Sequence, residues 1–125
     1  MRIVYYLPLL LLSLAACKKT ESDPNCVQIS QGNIFSVKYL GRMDGARFDV
    51  ICKFPNGCGF IKNISEVRSG QDVDIIANVG YNACSACVET PNTQSVTYIF
   101  NPPAPGTYYI RWRGIVDRKD TVVIR

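Results

Sequence analysis

Apolar and polar residues alternate with period two over much of the chain from Val27 onward, and no helical stripe competes with that pattern. Phe48, Val50, Cys52 and Phe54 share one face of a predicted strand, with Arg47, Asp49 and Lys53 on the other and Ile51 as the exception. Val73, Ile75, Ala77, Val79 and Tyr81 oppose Asp72, Asp74 and Asn78 in the same way. Val96, Tyr98 and Phe100 form a third set, ended by the proline-rich Asn101–Gly106. Tyr108, Ile110 and Trp112 alternate with Thr107, Tyr109, Arg111 and Arg113, and Thr121–Arg125 closes the chain. Runs at Ile34–Leu40 and Gly59–Val67 fit the alternation less cleanly. Turns are expected at Gly32-Asn33, Asn56-Gly57, Ser69-Gly70 and Pro105-Gly106, where glycine supplies backbone freedom.

About seven short strands in roughly 100 residues predict an all-β fold, an immunoglobulin-like antiparallel sandwich over residues 26–125. Its core is expected to bring Tyr108, Ile110 and Trp112 together with Phe48, Val50, Val73, Ile75 and Val79. The stretch Pro105–Trp112, followed by Asp120–Ile124, resembles the last two strands of many bacterial Ig-like domains. That resemblance places Tyr108 at the corner where the tyrosine of such sandwiches bonds back to the backbone. Trp112 lies on the penultimate strand, and no cysteine stands two residues after Tyr108, so the domain is not of antibody type.

The first sixteen residues carry a different pattern. Arg2 is the only charge before Lys18, and an apolar run fills Ile3–Ala16. That run is too short for a helix spanning a bilayer, which takes about 20 residues. A basic residue, a short apolar run and small residues at its end describe an export signal. Pro8 and the polar stretch Lys18–Asn25 argue against a buried helix. Leu14-Ala15-Ala16-Cys17 resembles the lipobox of bacterial lipoprotein precursors. The resemblance implies cleavage before Cys17, a lipidated mature first residue at Cys17, and residues 17–25 as its tether. The alternative is an ordinary signal peptide cut after Ala16, with Cys17 in a disulfide. Lys18, where enteric bacteria place Asp for inner-membrane retention, implies the outer membrane. From Val27 the chain also resembles small Bacteroidetes lipoproteins that carry a stretch like Pro55-Asn-Gly-Cys-Gly59, paired cysteines downstream and a Gly-Thr-Tyr-Tyr strand.

Five cysteines remain in the domain: Cys26, Cys52, Cys58, Cys84 and Cys87. Export places them where disulfides persist. A bridge from Cys58 to Cys84 or Cys87 is expected, with Cys26 reaching the unused member and Cys26 or Cys52 as the free thiol. Cys84-Ser-Ala-Cys87 also has redox spacing, but Val88–Asn92 does not begin a helix of the kind that lowers a thiol pKa. A four-cysteine zinc site from Cys52, Cys58, Cys84 and Cys87 is a further option, with an unusually wide 52–58 gap.

Composition narrows function more than it defines it. With no histidine, nucleophile–histidine pairs and histidine metal sites are excluded. Removing residues 1–16 takes away Arg2, leaving 14 − 1 = 13 basic against 10 acidic residues and a net charge of +3. That is too mild to indicate nucleic acid. Asp72 and Asp74 are candidates for an acid–base pair or weak calcium binding, and otherwise form a solvated strand face. Arg111-Trp112-Arg113 reads as a core tryptophan between exposed arginines, with glycan contact as the alternative. Asp120-Thr121-Val122 matches the short O-glycosylation pattern of Bacteroidetes, and Asn63-Ile64-Ser65 an N-glycan acceptor. The expectation is a non-enzymatic, cofactor-free, lipid-anchored binding or scaffolding module, its partner an unidentified protein or glycan. The alternative is an envelope thiol-redox or metal-handling protein using Cys84 and Cys87.

Overall fold

A computed structural model describes residues 26–125. The expected signal peptide 1–16, the lipidated Cys17 and the tether 17–25 lie outside the described residues. Eight strands follow in order: β1 (Val27–Gly32), β2 (Ser36–Arg42), β3 (Ala46–Phe54), β4 (Gly59–Ser69), β5 (Asp72–Asn82), β6 (Asn92–Phe100), β7 (Gly106–Trp112) and β8 (Lys119–Ile124). They form two facing sheets, a β-sandwich. One holds β2-β3-β6; the other holds β4, β5, β1, β7 and β8.

β5 organises the larger sheet. Its Ser69–Asp72 end turns tightly into β4, and the two pair antiparallel along nearly their whole length. Its other edge is divided: β1 pairs antiparallel with Ala77–Asn82, and β7 pairs parallel with Asp72–Ile75. That parallel pair departs from the all-antiparallel expectation. β8 completes the sheet by pairing with β7 in regular register.

The predicted faces are those observed on β3 and β7. Ala46, Phe48, Val50, Cys52 and Phe54 point inward, as do Tyr108, Ile110 and Trp112. Ile51 lies on the outer face beside Ser36 and Ser95. Trp112 is 2% exposed and meets Phe48 edge-on, with ring centroids 4.9 Å apart, and Tyr98 at 6.2 Å. Such aromatic pairs add about 0.5–1.5 kcal/mol beyond the area they bury. Tyr108 is buried, and its hydroxyl donates to the Ala104 carbonyl at 2.6 Å, fixing the proline-rich turn.

Three expectations need correction. Val79 is only partly buried at the margin of the core, where its neighbour on β1 is Gly32, which has no side chain to shield it. Tyr81 is exposed, its hydroxyl accepting from Asn56 at the cysteine-bearing end of the sandwich and not packing in the core. Val27–Gly32 is a strand although no strand was expected there; its residues are mostly exposed, so burial imposes little pattern on them. The two less regular runs are also strands, each carrying a bulge: at Tyr39/Gly41 in β2, and at Ile61/Asn63 in β4. Gly41 has φ +99°, a conformation that side chains disfavour, and it sits at the first of these bulges.

Candidate binding surface and cysteine pole

Hydrogen bonding along the β4–β5 hairpin sets the geometry of one end of the sandwich. Gly59 pairs with Tyr81, so Cys58 stands beside the end of β5 and the loop that leaves it. Cys58 bonds Cys87, and Cys26 bonds Cys84, each with a Cα separation of 5.2 Å. Both separations lie in the range a disulfide adopts. The loop is further held by main-chain bonds from Gly57 to Val88 and from Ala83 to Cys26. Asn56 Oδ1 accepts from the Cys58 amide at 3.0 Å, and Asn56 Nδ2 donates to the Tyr81 hydroxyl at 3.1 Å. The exposed Ser85, Ala86 and Val88 are therefore displayed on a doubly stapled loop.

Cys52 is the free thiol among the described residues and is 1% exposed. Burial pushes its thiol pKa up, so it is the opposite of an activated nucleophile. Cys84 and Cys87 join different partners and form no Cys-x-x-Cys pair. A zinc site from Cys52, Cys58, Cys84 and Cys87 is not assembled, because Cys58 and Cys87 are consumed by each other.

Asp72 and Asp74 are exposed on the outer face of β5, where their neighbours on β7 are Tyr109 and Arg111. Arg111 stands opposite Lys119 across β7–β8. Arg113 is exposed and bonds Gln31. Tryptophan inward and arginines outward is the arrangement that alternation predicts. Thr121 is exposed on the outer face of β8, so strand burial does not hide the Asp120–Val122 pattern. Asp120 faces inward and accepts from the Trp112 indole Nε1 at 2.6 Å. Arg118 pairs with the same carboxylate at 3.0 Å and also bonds the Val37 carbonyl of the facing sheet. This half-buried relay satisfies the indole and ties β8 to β2.

The opposite seam is closed by side chains that sequence reasoning missed. Gln94 of β6 accepts from the Ile61 amide at 3.1 Å and donates to the Gly59 carbonyl at 3.2 Å, taking the place of a paired strand at the start of β4. The Tyr98 hydroxyl donates to Glu66 farther along. The one available signal was glutamine at an inward position between Cys52 and Val96. A half-buried amide needs partners, but their identity requires the topology.

A family model described as the ORF11 beta-sandwich domain matches residues 48–124, more than half of the chain. The chain belongs to that family. No curated protein and no solved structure matches it. The ORF11 beta-sandwich match begins in β3 and ends with β8, so it includes Cys58–Cys87, Gln94 and the Trp112–Asp120–Arg118 relay. Cys26, β1 and β2 lie before it.

Proposed function

We propose that this ORF11 beta-sandwich protein is a lipid-anchored component of the cell envelope, and that its sandwich is a non-catalytic binding or scaffolding module. The observation that carries the reading is the use of the cysteines. Four of the domain's five pair with one another, and the fifth is sealed in the core. The domain therefore needs no cysteine from the N-terminal segment, and the lipobox reading of Cys17 competes with no structural role. Two disulfides at one pole also suit an exported, oxidising compartment. Lys18 after the lipidated residue favours the outer membrane.

Replacing Cys17 with serine tests the anchor. Metabolic labelling with a palmitate analogue should be present in the native protein and absent from Cys17→Ser, which should accumulate as unprocessed precursor. Labelling that survives the substitution would refute the lipid anchor.

A further inference from the structure

The two seams of the sandwich are finished differently. Where β4 meets β6, Gln94 and the Tyr98–Glu66 bond close the gap. Where β8 meets β2, only the Arg118 bond to Val37 crosses among the described residues, at one end. Beyond it, a cavity of about 290 Å³ opens between Tyr39 and Arg42 on one side and Thr121 and Val122 on the other, with Phe48 at its floor. Arg42 also borders a second cavity of about 190 Å³, with Gly45, Asn101 and Ile124. A third, of about 530 Å³, continues beside Pro102, Pro103 and Ile124. The first two share Arg42 and the last two share Asn101 and Ile124, so the cavities follow one another as a trench from the free edge of β8 around its Ile124 end.

β8 pairs only with β7 among the described strands, so its outer edge presents unpaired main-chain groups. An unbulged, proline-free edge of this kind accepts another strand. β8 has neither bulge nor proline. The facing edge of β2 is blunted by its bulge at Tyr39/Gly41 and acts as a side-chain wall.

We propose that this trench is a strand-addition site for an extended peptide segment of a partner protein, paired antiparallel with β8 and carrying an acidic residue opposite Arg42. The inference rests on the binding-module reading and names its partner class. Main-chain pairing would supply affinity, and alternate side chains entering the trench would supply specificity. An aliphatic side chain suits the Tyr39–Phe48–Val122 cavity. The acid follows from charge. Arg42 is exposed with no ion-pair partner among the described residues, while the nearby Asp120 is already held by Arg118 and Trp112. Because Arg42 lies at the Ile124 end of β8, an antiparallel partner would present that acid near its own amino end. A second copy of this chain suits the edge less well. Symmetric antiparallel pairing centred on Val122 sets Lys119 against Arg125, and like charges directly opposite are unfavourable.

The test uses the full chain and a synthetic peptide of alternating valine and threonine, long enough to span β8, with one aspartate near its amino terminus. Saturable binding should slow amide exchange in Lys119–Arg125 and leave Asp72–Asn82 unchanged. Alternate prolines in the peptide should abolish binding. Arg42→Ala, or asparagine for the peptide's aspartate, should each weaken it about threefold to fivefold, the scale of an exposed ion pair. Absence of binding, equal binding of the proline peptide, an unaltered affinity of Arg42→Ala, or protection elsewhere would overturn the proposal. So would protection of β8 without peptide that rises with protein concentration alongside a sedimenting dimer, which would assign the edge to a second copy. None of these outcomes depends on palmitate labelling, so failure of the trench and failure of the anchor are read separately.

Discussion

At the residue scale, Trp112 concentrates the most physics in one side chain. It packs against Phe48 and Tyr98 and hands its only polar atom to Asp120. Trp112→Ala should cost about 3–5 kcal/mol through lost burial and a cavity, a large part of a small domain's stability. Trp112→Phe keeps an aromatic ring but withdraws the donor from a half-buried carboxylate. It should cost less than the alanine variant yet still about 1–3 kcal/mol, with Arg118 sustaining the charge. Urea unfolding of both variants checks the order, and a neutral phenylalanine variant would show that the indole bond carries no weight. Cys52 makes a second residue-scale prediction. Burial raises its pKa, so at pH 8 it holds its proton more firmly than an exposed cysteine, whose pKa is about 8.5. Iodoacetamide should leave the native protein unmodified at that pH and add one carboxamidomethyl group to the described domain once it is unfolded in guanidinium. Rapid modification of the native form would place Cys52 at the surface.

Elements were legible where one face is buried and the other wet. β3 and β7 show this best, because the core reads their inward residues and solvent their outward ones. β1 was not legible for the converse reason: a mostly exposed strand needs no alternation. The parallel placement of β7 beside β5 was hidden as well, since period two is the same in either direction. The candidate site divides in the same way. Loop-end cysteines meet because Cys58 precedes β4 and β4 pairs back along β5, which short-range pattern supports. Gln94 with Gly59 and Ile61 is a long-range match between different sheets, and nothing in either segment names the other. The bridges themselves differ in the length of chain they close, with sequence separations of 29 for Cys58–Cys87 and 58 for Cys26–Cys84. In the chain-entropy model these are worth about 3.6 and 4.2 kcal/mol. Paired alanine substitutions at each bridge should therefore destabilise by several kcal/mol, with Cys26/Cys84 at least as costly as Cys58/Cys87. Thermal midpoints of the two double variants, compared under oxidising conditions, check this.

For the whole molecule, β5 is the strand on which the larger sheet depends, since β4, β1 and β7 all pair with it. Its two ends are secured by different means. Near Asp72–Ile75, parallel pairing with β7 and burial of Val73 and Ile75 in the core, beside Ile110 and Trp112, fix it without covalent help. Near Ala77–Asn82, β4 and β1 both pair with it, but β1 is mostly exposed and Tyr81 lies outside the core, so the disulfides add to the fastening. Reduction should therefore act unevenly. With both bridges intact, Trp112 fluorescence and far-ultraviolet circular dichroism should report one coincident unfolding transition, as expected of a small two-state domain. After mild reduction below the denaturation midpoint, amide exchange should accelerate first in β1 and in Ala83–Pro91, while β3, β7 and the first half of β5 stay protected. Uniform acceleration across both sheets would show instead that the cysteine pole is no weaker than the aromatic core it borders.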